Sequence, residues 1–419
     1  MSYRPVAKSG TLALNEQMRA LEAAGQTVYR FGFGESPFSP LLGVQAALAD
    51  ATGRTEYAPV KGLPELCDRV AAFHSAAHGP DIRGSQVYVA PGSKPLLFAT
   101  VASFARAQVF IPAPAWVSYG PQARLMGHEA CMIPADYENR WRVTPDALAD
   151  AVAPHADNGA AKLLVLNYPG NPDGLSYTGD ELAALADVLR KYEMWVLSDE
   201  IYGLLDHAGA HESLLTYYPE RTVVTTGLSK WAGAGGWRFG AAILPQDAPR
   251  EFTGAFVGVA SEIYSCAPTP VQVAAMAAYV WNDETRQFVD DQRAIIGGVG
   301  ATLHRQLIDE GVRVHAPTGA FYMLLDFSAF KAGLAAQGVH DDLTLCSKLL
   351  EETGVALLPG TAFGMPPGAL TARMAYVDFD GDAARSRLAN GVEAASAADT
   401  ARMTAGIAAL CDWLRGFTA

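Results

Sequence analysis

Lys230 stands alone among small and apolar residues in the stretch Leu228-Ser229-Lys230-Trp231-Ala232-Gly233-Ala234-Gly235-Gly236-Trp237-Arg238. A β-rich run over 221–226 leads in and stops at Gly227. An amine on a strand-end loop amid apolar neighbours is poorly solvated, and desolvation disfavours the charged form of any amine. A neutral amine is a nucleophile for a carbonyl carbon. Arg238 follows, and a guanidinium set among small residues forks onto a phosphate. A nucleophilic amine beside an anion clamp suits an aldehyde that carries a phosphate. A single lysine ordinarily reads as a solvated surface residue, so the weight falls on its company.

That company sits where other apolar runs end. The run Met194-Trp195-Val196-Leu197 ends in Ser198-Asp199-Glu200-Ile201-Tyr202, and Leu163-Leu164-Val165-Leu166 ends in Asn167-Tyr168-Pro169-Gly170-Asn171-Pro172-Asp173-Gly174. A third run, 86–90, ends in Pro91-Gly92-Ser93-Lys94-Pro95 before a helical pattern, which can offer backbone N–H groups to an anion. A carboxylate capping an apolar strand, as Asp199 does, needs a partner. A protonated ring nitrogen would be one. Trp116, in Pro112-Ala113-Pro114-Ala115-Trp116, offers a flat face for a ring. Taken one at a time, each has a plainer reading. Asp199 reads as a helix N-cap, Asn171 as a turn residue, Trp116 as core, and 91–95 as an ordinary strand-to-helix turn.

The elements that must position these residues follow from the apolar pattern. Strand-like runs at 86–90, 108–111, 129–133, 162–166, 194–197, 222–225 and 239–244 alternate with helical patterns at 95–105, 146–152 and 179–192. Such alternation predicts an α/β fold with a mainly parallel sheet covered by helices on both faces, and ligands then gather beyond the carboxyl ends of the strands. Helical patterns at 11–24 and 64–77 precede this block. After it come a long helix over 270–310 broken at Gly297 and Gly298, a strand at 320–326, a helix at 341–354, strands near Val355 and Arg373, alanine-rich helix over 384–401 and a final helix over 399–417. The organisation expected is an N-terminal arm at 1–45, a large domain at 46–295, and a C-terminal part at 296–419 that joins the N-terminal segment in a smaller α+β domain.

Composition narrows the class. The chain has 419 residues, 50% hydrophobic and 18% charged, enough for a sizeable core. A net charge of -13 argues against a nucleic-acid surface. Five scattered cysteines (Cys67, Cys131, Cys266, Cys346, Cys411), odd in number and without a Cys-x-x-Cys pair, suit a reducing compartment. With no signal-type run at 1–8 and no membrane span, the cytoplasm is expected.

Taken together, the motifs resemble the fold type I pyridoxal-phosphate enzymes, and within them the class I/II aminotransferases. The likeness runs from about residue 31 to the C-terminus. Its most specific part is Ser229-Lys230, five intervening residues, then Gly236-Trp237-Arg238-x-Gly240, together with Asn-Pro-x-Gly at Asn171 and Ser198-Asp199-Glu200-x-Tyr202. The resemblance implies pyridoxal 5'-phosphate held by Lys230 as a Schiff base, with Lys230 then moving the proton. It implies Asp199 as partner of the pyridine nitrogen, Tyr202 and Asn171 on the ring oxygen, and Trp116 stacked on the ring. Gly92, Ser93 and Lys94, with Ser229 and Arg238, would hold the phosphate. Arg373 would clamp the substrate α-carboxylate, with Gly34 lying over it. Tyr57 would reach the phosphate of a neighbouring subunit, which implies a homodimer.

Departures are Gly227 in place of a hydroxyl residue, Asp173 in place of threonine, expected to matter little, and the small Gly233-Ala234-Gly235-Gly236, expected to give a roomier or more mobile loop. The implied reaction is amino-group transfer from an L-amino acid to a 2-oxo acid by ping-pong chemistry. A C–S β-lyase or other eliminating enzyme begins with the same proton removal and stays open. A pyridoxal-phosphate-sensing regulator is not expected, since no DNA-binding domain is read before residue 31 and the net charge is -13. Dicarboxylate-specific relatives draw a second arginine from the loop before the long helix. Here 260–269 carries Glu262 and Tyr264 and no arginine, so a neutral, aromatic or basic side chain is expected on the donor. No metal is expected: His74 and His78 lie four apart without an acidic companion in the usual place.

Overall fold

The computed structural model describes residues 10–156 and 159–417, with side chains from residue 14 onward. The start at 1–8, where no signal-type run is expected, lies outside the described residues. Seven strands, β1 (Val87–Ala90), β2 (Ala107–Ala113), β3 (Glu129–Pro134), β4 (Ala161–Asn167), β5 (Trp195–Asp199), β6 (Thr222–Gly227) and β7 (Gly240–Ile243), form one sheet in the order β1-β7-β6-β5-β4-β2-β3. The run from β6 to β3 is parallel, while β7 lies antiparallel to both β1 and β6.

The stretches 163–166 of β4 and 195–197 of β5 are apolar and buried because helices cover both faces. Successive residues split between two cores. Val109, Leu163 and Leu197 join Leu96, Leu97, Phe252 and Phe256 on one face. Phe110, Leu164 and Val196 join Leu182, Leu185 and Leu189 on the other. The covering helix Gly179–Lys191 starts at a capping box in which Thr178 N donates to Glu181 Oε2 (2.8 Å) and Glu181 N to Thr178 Oγ1 (3.3 Å).

A three-stranded antiparallel sheet, β8 (Tyr322–Asp326), β9 (Leu358–Pro359) and β10 (Thr371–Ala375), has β10 at its centre. The N-terminal segment docks beside it: Tyr29 bridges Val355, and Ala375 N donates to the Phe31 carbonyl at 2.7 Å. Phe31, Leu357, Met374 and Ile407 then share one core.

Several elements differ from expectation. Helices Leu42–Asp50, Tyr119–Leu125 and Arg250–Tyr264 are additional. The last takes in half of what read as a loop, and the chain turns instead at Ser265, with φ 59°. The expected long helix is two, Thr269–Ala278 and Asp283–Asp309. The break falls at 279–282, where Tyr279 is buried in the core and Asn282 Oδ1 accepts from Thr285 N at 2.9 Å as a fresh N-cap. Gly297 and Gly298 lie inside the second helix, facing His207 and Ala395. The stretch 384–401 is likewise split between Gly381–Ala389 and Ala397–Arg415, with Gly391 at φ 79° and a Ser396–Asp399 capping box between them.

Candidate active site

A cavity of about 280 Å³ opens beyond the carboxyl ends of the parallel strands. It gathers Gly34, Ser93, Lys94, Trp116, Asn171, Asp199, Tyr202, Ser229, Lys230, Arg238 and Arg373 from the expected residues. They come from distant points of the sequence because β1, β2, β4, β5 and β6 each end at this rim.

At its floor Asp199 closes β5, buried to 4% exposure. Tyr119 OH donates to Oδ2 at 2.7 Å and Thr225 Oγ1 to Oδ1 at 3.2 Å. Burial pushes its carboxyl up to about 6, with the two hydroxyl donors pulling the other way. Among the described residues no lysine or arginine side chain hydrogen-bonds it; the side chains that do are hydroxyls, and the Ile201 backbone adds a further hydrogen bond. A buried carboxylate so placed lacks a cationic counterpart.

One wall is built for an anion. Gly92, at φ 96°, is the N-cap of the helix Ser93–Ala102, and any side chain there would run into the Arg238 guanidinium. Arg238 is itself held left-handed at φ 60°, with Nη1 donating to the Gly235 carbonyl at 2.8 Å. A non-glycine residue in that region marks a backbone held by its surroundings. Helix N–H groups, Ser93, Ser229, Lys94 and Arg238 thus face one space. The Lys94 ammonium lies 4.8 Å from the Trp116 ring centroid, and partial burial together with Arg238 holds it below the usual lysine range.

The amine of Lys230 donates to the Gly34 carbonyl at 2.7 Å and sits 5.5 Å from the rings of Tyr202 and Phe321. Arg373, on β10, is 1% exposed. Its Nη1 donates to Asn171 Oδ1 at 3.3 Å and Nη2 to the Gly32 carbonyl, both neutral, and Nε has no partner. A buried guanidinium that, among the described residues, bonds neutral acceptors can take a carboxylate as its counter-charge.

Tyr57 does not reach this cavity; it is 89% exposed. Glu262 is exposed, and Tyr264 packs beside the core of the helical face with its hydroxyl buried and unpartnered. Neither lines the cavity. Of the expectations on departures, one holds in part and one fails. Gly233, at φ 66°, lies against the Phe38 backbone, where the small residue permits a close approach, while Gly236 faces open space and Gly235 lines the cavity. Asp173 is 3% exposed and ion-paired with Arg142, far from an idle turn position.

Residues the sequence reading passed over include Tyr119, Thr225, Asn167 and Tyr322. Asn167 Nδ2 donates to the Asp199 carbonyl at 2.8 Å while its Oδ1 accepts from Asn171 N at 2.8 Å. The Tyr322 and Tyr202 hydroxyls share a 2.8 Å hydrogen bond. Nothing in their local spacing distinguishes them; the position of Asn167 at the end of an apolar run was the one available signal. Away from the cavity, Glu129, Cys131 and His155 bring ligand atoms within 4.8 Å of one another. The Gln108 amide already bonds Glu129 at 2.9 Å and lies 2.5 Å from His155 Nδ1.

Comparison with known proteins converges on one family. The model of "Aminotransferase class I and II" matches residues 26–378. An aspartate aminotransferase of Geobacillus stearothermophilus is 34% identical over 367 residues, covering 85% of this chain and 90% of the relative. An asparagine–oxo-acid transaminase of Streptococcus mutans is 31% identical, covering 86% and 90%. Among solved structures, the aspartate aminotransferase of Thermus thermophilus with maleate superposes with a TM-score of 0.80 at 28% identity, over 93% of this chain and all of that one. With the cavity at the strand ends and these matches across most of its length, the chain belongs to the class I and II aminotransferases, a family of pyridoxal-phosphate-dependent transferases.

Proposed function

We propose that this cavity binds pyridoxal 5'-phosphate and moves an amino group from an L-amino acid to a 2-oxo acid, with Lys230 as the residue that bonds the cofactor and carries the proton. The observation that supports it most is the buried Asp199 carboxylate, which has hydroxyl donors and, among the described residues, no lysine or arginine hydrogen-bonded to it, in the same cavity as the Lys230 amine. Asp199 would thus be matched by a protonated pyridine nitrogen. Ser93, Lys94, Ser229, Arg238 and the helix N-terminus behind Gly92 suit a phosphate. When bound, the cofactor supplies an electron sink for the negative charge left at the substrate Cα.

The chain's own residues do the rest. Asp199 would keep a ring nitrogen protonated, with Tyr119 and Thr225 fixing the carboxylate's orientation. Tyr202 and Asn171 would hold the ring oxygen, and Trp116 would offer its face to the ring. Arg373 takes the α-carboxylate on its open guanidinium edge, which holds the Cα within reach of the Lys230 amine. Lys230 would take the Cα proton on its amine and hold it for return. The Gly34 carbonyl holds the lysine when it is idle. Replacing Lys230 by Ala should abolish the visible absorbance of the loaded protein and nearly all turnover; retention of full turnover would refute the assignment. Donor alone separates transfer from elimination: one stoichiometric spectral change supports transfer, continuous release of keto acid and ammonia supports elimination.

The exposed Tyr57 fits a role in the phosphate site of a second copy of the chain, and we assign it to a homodimer on that ground. For the donor, the arginine-free stretch 260–269 favours a neutral, aromatic or basic side chain. A second reading rests on Lys94, which with Lys230, Arg238 and Arg373 makes up the lysines and arginines lining the cavity. The aspartate aminotransferases among the relatives support giving Lys94 the second carboxylate of a dicarboxylic donor. A survey of amino donors decides. Aspartate preferred by a wide margin would overturn the first reading, and in cofactor-saturated Lys94→Ala, where the loss of a phosphate contact weighs on every donor alike, the KM for aspartate should then rise about tenfold more than that for alanine.

A further inference from the structure

The loop that carries Asn171 is anchored from behind by a buried charge pair. Arg142 and Asp173 are 6% and 3% exposed and joined through Nη2 and Oδ2. Each also holds backbone. Asp173 Oδ1 accepts from Leu175 N at 2.8 Å, and Arg142 Nη1 donates to the Leu175 carbonyl at 3.3 Å. That carbonyl takes Gly170 N at 2.8 Å as well, and the Gly170 carbonyl takes Gly174 N at 2.9 Å. The turn 170–175 is therefore closed on itself with the pair as its clasp. Arg142 is fixed in turn by its Nε bond to the Arg140 carbonyl at 3.2 Å and by the Tyr177 ring 5.0 Å away.

The front of the same turn faces the reaction. Asn171 N is held by Asn167 Oδ1, and Asn171 Oδ1 accepts from Arg373 Nη1. A cavity of about 20 Å³, room for about one water molecule, separates clasp from front; Tyr119, Asn167 and Asn171 wall both it and the main cavity.

We propose that Arg142 and Asp173 are a positioning pair that fixes Asn171 and, through it, the Arg373 guanidinium. The inference rests on the reading of Asn171 and Arg373 given above. It extends the machinery to two residues that touch neither substrate nor cofactor. A pair kept only for stability would be replaceable by apolar side chains of similar volume, which commonly costs nothing, whereas removing one partner strands a charge. A positioning pair is not replaceable in this way. Apolar side chains supply no directional bond to Leu175 N or its carbonyl, so the turn loosens even where the fold survives.

The test compares wild type, Arg142→Met, Asp173→Leu and the double variant. The single variants are expected to unfold more easily. The double variant strands no charge but leaves the buried Leu175 N without its acceptor, so it is expected to be more stable than either single variant and less stable than wild type; in cofactor-free protein its amides over 170–175 should exchange hydrogen about tenfold faster, with the β4 and β5 amides unchanged. Its cofactor dissociation constant and donor KM should each rise about tenfold, with a smaller change in kcat. Wild-type exchange over 170–175 with wild-type cofactor affinity and KM in the double variant would overturn the proposal. So would faster exchange spread evenly across the sheet. The exchange contrast needs no turnover. A wild-type protein that transaminates no donor would sink the proposed reaction and leave this result to decide for the pair.

Discussion

Asp199 shows what a working residue costs its fold. Burial lifts its carboxyl from an ordinary 3.8 to about 6. In cofactor-free protein the folded state therefore binds the proton more tightly than the unfolded chain. The sign follows: its contribution to stability is whole below about pH 4 and is lost as pH rises through 6, amounting to roughly 3 kcal/mol of penalty at neutral pH. Asp199→Asn should thus make the cofactor-free protein more stable than wild type in urea at pH 7.5, with the gain fading by pH 4.5. The same variant should bind cofactor far more weakly. His74, driven by burial from 6.5 to about 4, acts in the opposite sense, losing stability as pH falls through that window. It is common to both proteins, so the difference between their curves isolates Asp199. A variant less stable than wild type at pH 7.5 would contradict the argument. Arg373 is the cationic counterpart: Arg373→Met should raise the donor KM by about a hundredfold, and an unchanged KM would remove it from the carboxylate site.

At the scale of elements, the site is a set of strand ends and the turns that follow them. The helix Ser93–Ala102 brings its N-terminus to the cavity, and Gly92 is the residue that lets Arg238 lie against it. Gly92→Ala should weaken cofactor affinity about tenfold or more through the displaced guanidinium and the strained φ. Absorbance titration measures it, and unaltered affinity would mean the phosphate lies elsewhere. Much of this was legible in advance. β4, β5 and β6 announce themselves as apolar runs that stop at Asn167, Asp199 and Gly227, and the lysine and arginine follow the last at fixed spacing. What was hidden depends on contacts distant in sequence. Tyr119 looks like any tyrosine until its helix sets it against Asp199, 80 residues away. Asp173 looks like a turn aspartate because Arg142 comes from another segment, 31 residues upstream. The break at 279–282 was missed because the packing of Tyr279, not the pair of helix glycines, decides where the chain bends.

Over the whole molecule, the cavity is assembled between the seven-stranded sheet and the smaller sheet, with the N-terminal segment closing it from above through Gly32 and Gly34. Parallel order places the chemistry at one edge; the docking of Tyr29 and Phe31 beside β10 brings Arg373 to it. Tyr57 stands outside this assembly at 89% exposure. If it serves a second copy, Tyr57→Phe should raise the cofactor dissociation constant about tenfold in a dimer that stays intact by light scattering; unchanged affinity would remove it from the phosphate site. No helix of the described residues is long and apolar enough to cross a membrane. The central claim, that the amine at position 230 is the group that bonds a phosphorylated aldehyde, is tested most directly by borohydride reduction of the cofactor-loaded protein followed by peptide mass mapping. The account predicts one added pyridoxyl phosphate per chain, on Lys230, and none on Lys230→Ala. A label on Lys94 or another lysine, or no label at all with cofactor in excess, would contradict it.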